Sequence, residues 1–123
     1  MDKASNGNKN ICPTGFHVPT DTEWTTLTTY LGGESVAGGK MKESGTSHWA
    51  SPNTGATNES GFNILPAGYR NIDGSFFSKG DTAYFWTNTL NRDEEVWYVS
   101  LIYYISRITQ NPLFGYSVRF VKN

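Results

Sequence analysis

Pro19-Thr20-Asp21-Thr22-Glu23-Trp24 decides how this chain is read. Thr20-x-x-Glu23 has the form of a capping box: the threonine hydroxyl accepts from the backbone N–H three residues on, and the glutamate reaches back to the threonine N–H. Trp24, Leu27, Tyr30 and Leu31 then follow at helical spacing, and Gly32-Gly33 supplies the stop. One main helix over about 20–31 is therefore expected. Thr25, Thr26, Thr28 and Thr29 are mediocre helix formers, so packing by Trp24 and Leu27 has to hold it. A short second helix is expected over residues 36–43, against the weakening effect of Gly38-Gly39.

Outward from the helix, residues 1–11 are polar and read as a poorly ordered lead-in, leaving 12–123 as a single domain. Residues 45–61 are rich in Ser, Thr, Asn, Gly and Pro around His48-Trp49, which reads as a long ordered loop or two short turns. Strand signals follow. Phe62 to Leu65 is apolar, and Tyr69 to Ser78 reads as a hairpin around Asp73-Gly74. Ala83 to Leu90 and Val96 to Ile105 are β-rich and joined by the charged turn Asn91-Arg92-Asp93-Glu94, while Tyr116 to Val121 alternates with period two. Helix first, irregular middle, antiparallel strands last: the fold class is α+β in a single layer pair.

Composition narrows the function. The 123 residues suffice for one domain. Ten basic against eleven acidic residues leave a net charge of -1, without the basic face that would neutralise phosphates, so no nucleic acid is expected. Residues 96–106 form an apolar, uncharged run about half as long as a membrane-spanning helix needs, so no membrane insertion by this chain is expected. Met-Asp-Lys-Ala-Ser-Asn-Gly has no apolar signal-peptide core; the chain is then cytoplasmic, trimmed, or a piece of a longer one. Aromatic residues at 15% beside 13 glycines and only 17% charge suit a β-rich, often extracellular, domain.

Dedicated chemistry is hard to find. Cys12 is the single cysteine, and a reactive thiol would need a base such as His17 beside it; the alternative is a structural cysteine. His48 is either a ligand contact or a hydrogen-bonded structural histidine. Asn53, Asn58 and Glu59 carry oxygens suited to calcium, the one metal considered, against the alternative that they bond loop backbone. The carboxylates at 73, 81, 93, 94 and 95 show no facing pair for glycoside chemistry. Nucleotide-binding, zinc-protease and serine-hydrolase motifs are absent. Neither a cofactor nor a catalytic residue is expected. The informative stretch is Val96 to Phe114, apolar on both faces: either a central strand packed on both sides, or a strand whose far end, Ile102 to Phe114, leaves the sheet as a loop and displays Tyr, Ile and Phe outward.

Read as ordered blocks, the chain resembles a known family. Cys12-Pro13-Thr14-Gly15-Phe16-His17-Val18-Pro19-Thr20-Asp21-Thr22-Glu23-Trp24 is similar to the opening motif of the bacterial Fibrobacter succinogenes major paralogous domain. Ala37 to Glu43, Asn53 to Phe62, Leu65 to Arg70, Phe85-Trp86-Thr87 and Gly115 to Arg119 resemble its later blocks. The resemblance implies a C-type lectin-like fold related to formylglycine-generating (sulfatase-modifying) enzymes: a twisted antiparallel sheet with a flanking helix and long irregular loops, used in bacterial surface or secreted proteins without established catalysis. It also implies an extracellular or cell-surface location, and a core containing Trp24, Trp49, Phe62 and Phe85.

Three departures stand out. Phe120 occupies a position where the family commonly has a cysteine, so the implied disulfide with Cys12 cannot form. The family's N-terminal portion is shortened. Residues 102–114 are more apolar than usual. Some C-type lectin-like proteins are targets of diversity-generating retroelements, which convert Asn codons near the C-terminus into the Tyr, Ile, Phe, Ser and Thr crowded here. The chain is thus expected to be a non-enzymatic ligand-binding or display module, a variable protein whose partner is a protein or glycan. Its expected contacts are Trp86, Asn88, Tyr98, Ile102, Tyr104, Arg107, Thr109, Gln110 and Phe114. The alternatives are a structural module of a bacterial surface protein and a carbohydrate-binding lectin-like domain, although the calcium-site signatures of sugar-binding C-type lectins are missing. Cysteine oxidation of the sulfatase-modifying kind needs a cysteine pair near the last strand, and no cysteine follows Cys12.

Overall fold

Both arms of the capping box close in the computed structural model, which describes residues 11–102 and 104–123. Glu23 N–H donates to Thr20 Oγ1 at 3.1 Å and Thr20 N–H donates to Glu23 Oε1 at 3.0 Å. Helix α1 runs Asp21–Tyr30 behind this cap. It turns Trp24 and Thr28 inward, and the Thr28 hydroxyl donates to the Trp24 carbonyl, which removes the cost of burying it. The lead-in expected over 1–11 lies, except for Ile11, outside the described residues.

The second helix exists as α2, Glu34–Met41, two residues earlier than expected. Gly39 lies inside it for a packing reason. A Cβ there would sit 2.2 Å from the Gly55 carbonyl oxygen, while the Gly39 carbonyl accepts from Thr57 N–H at 2.8 Å. The long loop is thereby fastened to the helix, and glycine costs less than the clash it avoids.

Three strands form the main sheet: β1 is Ala83–Leu90, β2 is Val96–Leu101 and β3 is Ile105–Gln110, antiparallel in that order. The loop reading of residues 102–114 is corrected by β3, which pairs with β2 along its whole length, from Val96 opposite Gln110 to Leu101 opposite Ile105. β-branched Ile105, Ile108 and Thr109 favour extended backbone, and pairing satisfies their peptide groups better than a loop would. The apolar run on both faces was therefore two paired strands, one ending at Leu101 and the next starting at Ile105; Tyr103 lies outside the described residues.

Two more strand expectations need correction. Phe62 to Leu65 makes a single parallel bridge, Ile64 to Lys42, because left-handed Asn63 (φ 57°) on one side and Pro66 on the other stop it extending. Only Val121–Lys122 of the C-terminal segment is a strand, and it pairs with Phe16–His17 near the N-terminal end. Ser117 instead lies along β1, accepting from Trp86 N–H and donating to the Tyr84 carbonyl at 3.0 Å each. The hairpin around Asp73-Gly74 forms as expected, with Tyr69–Arg70 against Phe76–Phe77. Gly68 leads into it at φ 69°, where a Cβ would meet the Phe77 carbonyl at 2.1 Å.

Strand alternation gives the sheet two unlike faces. Ala83, Phe85, Val99, Leu101 and Ile105 point inward and join Trp24, Ala37, Met41, Trp49 and Ile64 in the core. Trp24, Trp49 and Phe85 are buried as expected, with Phe62 packed at the core's edge. The architecture is mixed α+β, with two helices and small antiparallel sheets.

Candidate functional site on the outer sheet face

The outer face of the same strands is aromatic. Trp86 of β1 stands opposite Tyr98 of β2, which stands opposite Ile108 of β3. Tyr116, carried over β1 by the Ser117 bridge, packs on Trp86 with ring centroids 4.4 Å apart and on Tyr98 at 4.9 Å. Tyr84 stacks on Tyr116 at 5.1 Å, and Tyr69 meets the Tyr84 edge at 5.2 Å. Phe77 and Phe114 extend the cluster around Tyr69 at 5.7 Å and 6.0 Å.

Trp86 is only 4% exposed and forms the floor of this surface. Tyr69, Tyr84, Tyr98 and Tyr116 are half-buried above it, and exposed Phe76, Phe77, Ile108 and Leu113 contribute the apolar rim. Burial pushes the Tyr116 hydroxyl far above the ordinary tyrosine range, and burial also raises Tyr98. Hydrogen bonds link Tyr98 to Tyr116 and Tyr116 to Gln110. Beside them the Ser100 and Ser106 hydroxyls bond at 2.7 Å. Flat rings with polar tips, rigidly seated on a sheet, offer stacking area at low entropic cost together with oriented hydrogen-bonding groups.

The nine residues expected from sequence divide among four places. Trp86, Tyr98, Gln110 and Phe114 converge on the outer face. Ile102 and exposed Tyr104 flank the β2–β3 turn. Asn88 is exposed where the β1–β2 register shifts, its N–H held by the Pro19 carbonyl at 2.8 Å. Arg107 and Thr109 face the other way. The Arg107 guanidinium bonds the Asp21 carboxylate and lies 5.6 Å from the Trp97 ring centroid, tying β3 to α1. Thr109 donates to Glu95 Oε1 at 3.1 Å.

Tyr69, Tyr84 and Tyr116 were not among the expected contacts. Tyr84 is two residues from Trp86 and so shares its face, a signal present in the alternation. Tyr116 reaches the face between two isolated bridges, Gly115 to Arg70 and Ser117 to Phe85, that no local pattern announces.

The remaining candidates hold structure. His17 Nε2 meets both Glu23 carboxylate oxygens at 2.9–3.0 Å and its Nδ1 meets Asn123 Oδ1 at 2.7 Å. His48 Nδ1 bonds the Glu43 carboxylate at 2.9 Å. Asn53 donates to the Glu43 and Gly45 carbonyls, and Asn58 accepts from Asn63 N–H. Among the described residues no three His, Cys, Asp or Glu side chains gather where they could hold a metal ion, and no helix is long and apolar enough to cross a membrane.

Comparison with known proteins adds one finding. The family model for the Fibrobacter succinogenes major domain matches residues 1–122. The chain belongs to this family. The match takes in both helices and all three strands of the main sheet, so the outer aromatic face is built on the Fibrobacter succinogenes major domain itself and not on an appended segment. No curated protein and no solved structure matches the chain with significance.

Proposed function

We propose that this chain is a non-enzymatic binding module of C-type lectin-like fold, which displays the outer face of its main sheet to a protein or glycan at a bacterial surface. The observation that carries the reading is the convergence of Trp86, Tyr98, Tyr116, Tyr84, Tyr69 and Phe114 on one face beside an exposed apolar rim. A contiguous aromatic surface of this kind is costly to leave in water and marks contact sites. Pairing of the two ends of the domain and the antiparallel meander beside two helices support the C-type lectin-like scaffold.

The test is a screen of glycans and bacterial and host surface proteins, repeated with Tyr98→Ala, Phe114→Ala and Arg107→Ala. The first two are expected to weaken capture roughly tenfold or more; Arg107→Ala, on the inner face, is expected to leave it unchanged once folding is matched. Absence of any ligand sensitive to the outer-face changes favours a structural module instead.

Retroelement-driven variability belongs to the same proposal and makes a positional prediction. Among related loci, variation should fall on outward Tyr104, Ile108, Gln110, Leu113 and Phe114 and spare Ile105, which is 1% exposed in the core. A coding locus without a near-identical template repeat and a reverse transcriptase would overturn it.

A further inference from the structure

A concavity of about 340 Å³ opens between Ile102, the loop at 49–54 and the segment 80–82. One of its walls is Lys42, which caps the C-terminus of α2 and is only 4% exposed. Burying an ammonium is expensive unless it is paired with an anion, yet no carboxylate lies within ion-pair range of Lys42 among the described residues. Its Nζ donates to the Ile102 carbonyl at 2.7 Å and sits 3.9 Å from the centroid of the Trp49 ring. Burial accordingly holds Lys42 below the ordinary lysine range. An ammonium has three N–H donors, and among the described residues one carbonyl and one ring face are its partners, which leaves part of that capacity unused.

The same concavity contains the complementary deficiency. Asn53 is fixed by its amide donors, but its Oδ1 is buried with no hydrogen-bond partner among the described residues. Asp81, exposed, lines the wall near Thr82. Two opposite needs therefore share one small space: a cation short of an acceptor, and an amide oxygen and a carboxylate able to receive a donor.

We propose that this concavity binds a small carboxylic acid that carries an amine or hydroxyl beside its carboxylate, with the carboxylate on Lys42 and the neighbouring donor on Asn53 Oδ1. That chemistry occurs in amino acids and in sugar acids, and the volume suits a molecule of either kind. The site is separate from the outer aromatic face and does not depend on what that face binds. Ile102 joins the two regions, since its carbonyl is the present acceptor for Lys42; a bound carboxylate competes for the same ammonium and loosens its hold on the turn.

The experiment is a titration of isotope-labelled protein with L-serine, D-gluconate and acetate, following the amide resonances of Ala50, Asp81 and Ile102 and the indole of Trp49. Saturable shifts at these positions in the millimolar range are expected with L-serine or D-gluconate, and which of the two acts names the source. Acetate, lacking the second donor, should bind roughly tenfold more weakly. Lys42→Met should abolish the shifts. Ala50→Phe, which fills the concavity from an exposed position, should do the same without disturbing the core, and it carries the test if Lys42→Met fails to fold. No shift at these resonances with either acid, or shifts surviving in Ala50→Phe, overturns the site. Equal binding of acetate overturns the role of Asn53.

Discussion

The two faces of the main sheet are made from the same strands and differ in everything else. The inner face takes Phe85, Val99, Leu101 and Ile105 into contact with Trp24 and Met41 and closes over them. The outer face takes the residues between, Tyr84, Trp86, Tyr98 and Ile108, and leaves rings and hydroxyls at the surface. Side-chain period two makes this division possible, and one helix pair covering one side makes it real. A domain of this size can spend alternate positions on a face that adds little to its own stability only because the other face is fully packed.

Substitutions can break this contrast or sharpen it. Leu101→Ala should have the largest effect, a loss of about 2–5 kcal/mol in denaturant unfolding, because a fully buried side chain leaves a cavity. Arg107→Ala comes next. It removes the strut to Asp21 and leaves a carboxylate whose Oδ1 is already buried with no partner among the described residues, so a loss of about 2 kcal/mol is expected without loss of binding. An effect on binding and none on stability would reassign Arg107 to the ligand surface.

Thr20→Ala should cost about 1 kcal/mol, since it opens one arm of the capping box. Ile108→Asn, on the exposed rim, should stay within about 0.5 kcal/mol; a larger loss would mean that the outer face is part of the core.

The smallest effect is a pH dependence at the start of α1. Hydrogen bonding to Glu23, then to Asn123, raises His17 above its ordinary value of 6.5. A raised histidine adds stability that is fully present below 6.5 and is lost as pH rises through its folded midpoint. Glu23 is lowered chiefly by the Thr20 N–H, so its contribution fades as pH falls through the acid range. A proton-NMR titration should place His17 above 6.5 and return it toward that value in Glu23→Gln.

Much of this architecture was legible before the coordinates. Thr20 and Glu23 announce the helix because the capping box is a local contact between residues three apart. Asp73-Gly74 announces its hairpin for the same reason. Residues 102–114 misled because an apolar run on both faces describes a buried strand and a hairpin equally well, and only pairing of β3 with β2 distinguishes them. The expected contact residues mixed the faces for a related reason: Arg107 looks like a ligand-binding residue until Asp21, far away in sequence, is found against it.

From its sequence alone this protein determined its fold class, its capped helix, its aromatic core positions and its family blocks, all of which rest on short-range patterns or on motif order. Tertiary structure decided which aromatic rings meet. Tyr116 joins Trp86 between the bridges at Gly115 and Ser117, and Lys42 comes to rest between Trp49 and Ile102. Such meetings depend on closing long loops around a shared core, so the residues that make them carry no mark of it in their neighbours.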